Sequence, residues 1–219
     1  VVGSVHIEAE WDPNDPVAET HWLDTIASEC RHTMVVVAQV RLDGEDVESV
    51  LRAHAASPNM RGVRHKPATS PTTHDAERGG VGSMDDPRWR DGFAHLANYK
   101  FSFDLQVPFW HLDQAAELAR DFPRTTIILN HTGLPGNRDR ESLTPWRNAM
   151  ELLALEPNTA AKISGLGQPG QPWTVASNYN VVRDTISMFG VNRCMFGSNF
   201  PVDRLCATFN DIYRGFDEI

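Results

Sequence analysis

Short, almost continuous apolar runs alternate along this chain with segments whose apolar residues recur at helical spacing. The runs read as strands buried on both faces, the pattern that parallel sheets covered by helices require. Seven strand-like stretches begin near Val2, Met34, Arg61, Phe101, Thr126, Thr159 and Cys194. Between them helices are expected from Val17 to Cys30, from Asp46 through Leu51, from Asp86 with Trp89, Phe93 and Leu96 as its buried stripe, and from Leu112 to Phe122. Three more are expected from Thr144-Pro145 to Leu155, from Thr174 to Phe189 with Gly190 as its stop, and from Leu205 to Phe216. Asp15-Pro16, Asp86-Pro87 and Thr144-Pro145 each have the form of a cap followed by a first-turn proline. The stretch from Pro67 to Asp86, rich in Thr, Ser, Pro and Gly, is long for a connection inside a compact domain and reads as a functional lid or a mobile loop.

Strand and helix alternate over the whole chain, which predicts one α/β domain over residues 1–219, with a parallel sheet covered by helices. A complete (β/α)₈ TIM barrel takes about 250 residues and eight strands. At 219 residues and seven strands, the expected architecture is such a barrel lacking its first strand and its C-terminal end. The chain opens on Val1 without Met and stops at Ile219, which fits incompleteness at both ends. A doubly wound open sheet is the competitor, but it carries a Gly-rich phosphate turn between its first strand and helix, and Gly3-Ser4 precedes a strand instead.

The formal net charge of -9, with no cluster of Lys or Arg, excludes nucleic acid and an anionic membrane as expected partners. No apolar run approaches the roughly 20 residues that span a bilayer, and the start lacks the regions of a signal peptide. Cys30, Cys194 and Cys206 have no metal-type spacing and leave an odd thiol, so a reducing, cytoplasmic setting is expected. The expected partner is a small-molecule substrate. Nothing in the sequence speaks to oligomeric state.

Candidate chemistry stands at the carboxyl ends of the strands, where the loops of an α/β fold converge. These positions hold His6, Glu8 and Glu10, then Gln39, then Arg64 and His65, then Asp104 and Gln106, then His131, then Lys162 and Ser164, and last Ser198 and Asn199. Period-two spacing puts His6, Glu8 and Glu10 on one side of their strand, and does the same for Asp104 with Gln106 and for Lys162 with Ser164. Buried strands should be nearly all apolar, so recurring polar residues at one end imply a lined cavity, or else a closed network of ion pairs such as Lys162 with Glu8. His131 ends an apolar run and is the first candidate for chemistry, against the alternative of a hydrogen-bonded structural histidine. Trp110 and His111 sit on a loop at the expected mouth.

Laid out in order, several of these segments resemble the amidohydrolase-2 family of TIM-barrel metal-dependent-type hydrolases, in particular its branch of sugar lactonases and 2-pyrone-4,6-dicarboxylate lactonase. They are Val5-His6-Ile7-Glu8-Ala9-Glu10, Gly62-Val63-Arg64-His65, Phe101-Ser102-Phe103-Asp104-Leu105-Gln106, Leu129-Asn130-His131-Thr132-Gly133, Lys162-Ile163-Ser164-Gly165 and Met195-Phe196-Gly197-Ser198-Asn199-Phe200-Pro201. The resemblance implies a hydrolase that opens a lactone or related cyclic ester of a sugar acid or an aromatic acid. His131 falls on the family's active-site histidine, with Asn199, Glu8 and Asp104 as the other candidate catalytic positions. His6, Glu10, Arg64, His65, Gln106, Ser164 and Trp110 are the candidate substrate-binding residues. Water would be activated by Glu8, Glu10, Asp104 or Asp203, while His131 and Arg64 polarise the carbonyl.

Two departures bear on a metal. The family usually places an Asp where this chain has Asn199, and an amide neither takes a proton from water nor ligates a dication well. Metal-binding members also tend to hold a histidine on the strand that here carries Asp104 and Gln106, and their His-x-His pair would lie upstream of Val1. The expectation is therefore at most one divalent ion, zinc or manganese, with His131 as a weak ligand. The alternative readings are a metal-dependent decarboxylase of the same superfamily and a non-catalytic barrel that binds a small acid.

Overall fold

The computed structural model describes residues 3–30, 32–75 and 78–219. Val1 and Val2, where the first strand was expected to begin, lie outside the described residues, as do Arg31 and, within the 67–86 stretch, Ala76 and Glu77. The described residues fall into two compact units, one within Val1–Ala68, Glu77–Leu105 and Phe122–Ile127, the other within Thr69–Ala76, Gln106–Asp121 and Ile128–Ile219.

The first unit runs β1 (Gly3–Ile7), α1 (Ala18–Glu29), β2 (Thr33–Gln39), α2 (Val47–His54), β3 (Met60–Arg64), α3 (Pro87–Ala94), α4 (Leu96–Tyr99) and β4 (Ser102–Leu105). Its three strand pairings, β1 on β2, β2 on β3 and β3 on β4, are all parallel. Apolar runs make this possible, because parallel strands joined by helices are buried on both faces. Register then does the positioning: Gln39 lies opposite Arg64, and Arg64 opposite Asp104, so three polar residues stand side by side across adjacent strand ends. Beneath them Trp89 stacks on Phe93 at 5.4 Å, and both meet the edge of Phe103. Asp86 caps α3 as expected, its carboxylate accepting the Arg88 N–H at 3.0 Å. The stripe Trp89, Phe93, Leu96 is fully buried, yet the helix breaks at His95 into α3 and α4.

In the second unit stand α5 (Leu112–Asp121), α6 (Arg140–Ala154), β6 (Thr159–Ile163), α7 (Val175–Phe189), β7 (Cys194–Phe196) and α8 (Phe209–Glu218), with β5 (Ile127–Leu129) starting in the first unit and ending here. β6 and β7 pair in parallel. α7 has the expected ends: Thr174 and Ser177 form a capping box, and Gly190 takes φ 76°. Two helix starts differ from expectation. α6 begins at Arg140, because the Asp139 carboxylate accepts both the N–H (2.9 Å) and the hydroxyl (2.7 Å) of Ser142 and so outcompetes Thr144 as the cap. Thr144 turns its hydroxyl to the Arg140 carbonyl, and Pro145 lies inside the helix. α8 begins at Phe209 under a Thr208 cap, and Val202–Leu205 is a 3-10 turn ahead of it.

Candidate active site

In the first unit the polar strand ends are closed by charge. β1 continues its ladder one step past Ile7, where the Glu8 N–H donates to the Val37 carbonyl at 2.9 Å. Glu8 is buried. Its carboxylate accepts from Arg64 Nε and, at 2.7 Å, from the Glu10 N–H, while Arg64 Nη2 donates to the Glu8 carbonyl at 2.9 Å. Arg64 is thus the partner of Glu8 within this unit. Glu10, in left-handed backbone at φ 53°, pairs with Lys66 Nζ at 2.7 Å, and this contact holds its carboxyl below the ordinary range despite some opposing desolvation.

His6 turns to α1, its Nε2 lying 2.7 Å from Glu19 Oε1, an oxygen that also accepts the Ala9 N–H. His65 accepts the Leu42 N–H on Nδ1 at 3.1 Å, so the neutral ring carries its proton on Nε2, 4.0 Å from Asp43 Oδ1. Burial pushes His65 below its ordinary value, and the ring stacks on Trp89. Asp104 is fully buried. Of the expected residues, Glu8, Glu10, Arg64 and His65 line one cavity of about 270 Å³ together with Gln39, Arg41 and Lys66. Arg41 and Lys66 escape the alternation argument because they lie just beyond the regular ends of β2 and β3.

Strained backbone and hydrogen bonds outside ion pairs do the corresponding work in the second unit. After β5 the chain makes a tight turn, Asn130–Gly133, in which His131 (φ 54°, ψ 33°) and Thr132 (φ 50°, ψ 31°) are both left-handed. Such a conformation costs a non-glycine residue about 1–3 kcal/mol and persists only where surroundings enforce it. Here the buried Trp146 Nε1 donates to the Thr132 carbonyl at 2.7 Å, and the Leu134 N–H closes onto the His131 carbonyl at 2.9 Å. The imidazole is fixed in turn: Nδ1 lies 2.9 Å from Ser164 Oγ, and the ring rests over Gly165. Gly165 sits at φ 62°, where a Cβ would come within 2.6 Å of Nδ1, so only glycine leaves room for the ring. Ser164 is buried, and its hydroxyl also approaches the Lys162 carbonyl at 3.5 Å.

Asn199, left-handed at φ 53°, donates Nδ2 to Asp203 Oδ1 at 2.8 Å. The buried Asp203 accepts the Gly167 N–H on its other oxygen at 3.3 Å. A carboxylate therefore lies four residues beyond Asn199, and Asn199 holds it. The Asn-x-x-x-Asp spacing is the signal that points to this pair. Trp110 Nε1 donates to the Ser70 carbonyl, and His111 Nε2 accepts the Ser70 N–H at 3.0 Å with Nδ1 on Gln114. Both aromatic side chains are thereby tied to the 69–76 segment, and Gln106 is half-buried.

Among the described residues, no three of His, Cys, Asp and Glu come together in a group able to hold a metal ion. The amide of Asn199, and Asp203 already bonded on both oxygens, make a poor donor set for a tightly bound dication. Among the described residues, no helix is long and apolar enough to cross a membrane.

The sequence pattern of the Amidohydrolase family matches residues 5–219. Protein y4mH of Sinorhizobium fredii is 38% identical over 100% of this chain and 73% of its own length. An L-fucono-1,5-lactonase from Burkholderia ambifaria is 30% identical over 88% of this chain, which spans 64% of that enzyme. Among solved structures, an amidohydrolase from Burkholderia multivorans with bound zinc aligns with a TM-score of 0.78 at 22% identity, covering 100% of this chain and 75% of the other. At that identity the likeness shows the fold, and it is the TIM-barrel class that the alternation predicted.

Proposed function

Because the chain belongs to the amidohydrolase family, we propose that it hydrolyses a lactone of a hydroxylated acid, with His131 moving the proton. The observation that supports this best is His131 itself, an imidazole held over Gly165 by a turn of two left-handed residues and by Ser164. Strain of this kind is retained where a side chain must be aimed. The lactonase relative from Burkholderia ambifaria acts on a six-membered sugar lactone by its name, which favours a sugar-derived ring here.

Ring opening adds water to the lactone carbonyl, passes through an oxyanion, and expels the ring oxygen as a hydroxyl group. A single base that takes the proton from water can return it to the departing oxygen. With Nδ1 held at Ser164, Nε2 is the nitrogen of His131 suited to both transfers. Asp203, fixed by Asn199 and Gly167, is the carboxylate nearest in sequence to the family's catalytic position and supplies fixed negative charge in the second unit. In the first unit, Arg41, Arg64 and Lys66 line one cavity with Glu8 and Glu10, so the cations among these five outnumber the carboxylates, which favours an acid-derived ligand there.

Acid release in a weakly buffered pH-indicator assay tests the reading, over a panel of 1,4- and 1,5-lactones of sugar acids and of aromatic acids. Ring opening well above the spontaneous rate with a sugar-derived lactone is expected. Rates indistinguishable from spontaneous hydrolysis across the panel would overturn it.

A further inference from the structure

A second cavity, of about 310 Å³, adjoins the first and shares two of its wall residues, Gln39 and Arg41. It lies among the loop after β1 (Pro13, Pro16), the loop after β2 (Asp43 to Asp46), Val50 of α2 and Arg88 of α3. Its wall is organised: Arg88 Nη2 donates to the Asp43 carbonyl at 3.0 Å, Arg41 Nη2 reaches Asp43 Oδ2 at 3.4 Å, and the Gly44 N–H closes the turn onto the Arg41 carbonyl.

Two acceptors define what it would take. Gln39 Oε1 and Asp43 Oδ1 are buried and have no hydrogen-bond donor among the described residues. Both residues line the cavity. An acceptor is satisfied by an O–H or N–H and repelled by another anion, which excludes a carboxylate at this end. Acidic and guanidinium side chains mixed with the apolar faces of Pro13, Pro16 and Val50 match a hydroxylated ring, with O–H groups on its rim and C–H groups on its face.

The geometry points to a two-part binding site in the first unit, in which the second cavity holds a further hydroxylated ring, so that the substrate is a glycosylated sugar lactone rather than a free monosaccharide lactone. This rests on the lactonase reading above and extends it. Gln39 and Arg41 form the boundary between the two rings, and Val50, absent from the first cavity, marks the second alone.

The test compares kcat/KM for D-glucono-1,5-lactone and cellobiono-1,5-lactone in the wild type and in Val50→Trp, which fills the second cavity. The wild type should favour the disaccharide lactone at least tenfold, and Val50→Trp should remove most of that preference while leaving the monosaccharide rate within about twofold. Arg88→Ala, an exposed position, gives a second variant should the tryptophan fail to fold. Equal kcat/KM for the two lactones, or a preference unchanged in both variants, overturns the second ring site. If neither lactone is opened, the lactonase reading fails by itself, and calorimetry with cellobionate and gluconate decides the site: tighter cellobionate binding that Val50→Trp abolishes upholds it, and equal affinities overturn it.

Discussion

The strand ends of the two units are built from the same kinds of residue and held by opposite means. In the first unit, Glu8 with Arg64 and Glu10 with Lys66 are charge pairs and His6 hydrogen-bonds to Glu19, with Glu10 alone of these residues in left-handed backbone. In the second, His131 with Ser164 and Asn199 with Asp203 are single hydrogen bonds on backbone held in left-handed conformation. Paired charges satisfy one another and shape a cavity wall, which suits recognition. Backbone strain aims one side chain and keeps it from relaxing into a better-bonded rotamer, which suits proton transfer. On the function proposed above, the difference would be a division of labour that can be attacked from either side.

The largest effect on stability should come from the first unit. Arg64→Met strips the buried Glu8 of its guanidinium and is expected to cost about 3–5 kcal/mol in urea unfolding, with the double variant Glu8→Gln/Arg64→Met recovering much of it. If the single variant unfolds like the wild type, the first unit is not held by charge and the contrast disappears. Next comes Gly165→Ala, which forces a Cβ against the imidazole at a positive φ. A loss of roughly 1–2 kcal/mol in stability should accompany a fall in kcat of about tenfold or more, one decade per 1.4 kcal/mol of misplacement. An unchanged kcat would mean that the ring does not need its seat on Gly165.

Acid should separate the units as well. Burial holds His54 and His65, both in the first unit, below their ordinary value near 6.5. The unfolded chain then takes up protons before the folded one, so their contribution is complete above about pH 6.5 and is lost as pH falls through the depressed folded values. Thermal midpoints should decline from that pH downwards, with a shallower slope in His65→Gln. A slope unaltered by this change would assign the acid sensitivity elsewhere. Smallest of all is the exposed pair of Glu10 and Lys66, where Lys66→Ala should cost about 0–1 kcal/mol and less in high salt.

Much of this was legible in the sequence, for reasons that differ by element. Apolar runs marked β2 and β6 to within a residue or two, and the local signals at Asp86-Pro87, Thr174 and Gly190 marked helix ends because capping is decided by neighbours in the chain. The start of α6 was missed, since Thr144-Pro145 has the form of a cap while the chain is capped earlier, by Asp139, and leaves Pro145 inside the helix. At the site, polar residues on buried strand ends pointed to Glu8, Arg64, His131 and Ser164. Their partners were not readable, because packing selects them: Glu19 looked like an ordinary position of α1 until β1 placed His6 beside it. Backbone strain is still less visible, as nothing in Asn130-His131-Thr132-Gly133 announces two left-handed non-glycine residues in succession.

The most direct test of the account is the initial rate of ring opening by His131→Asn against the wild type, on whichever lactone the panel shows to be best. Asparagine tolerates the left-handed backbone of position 131 better than most residues, so the turn should survive and the far-UV circular dichroism should match. The account predicts a rate lower by about 10²–10⁴, the usual contribution of a positioned acid–base group. A rate within twofold of the wild type, in a variant of unchanged fold, would contradict it.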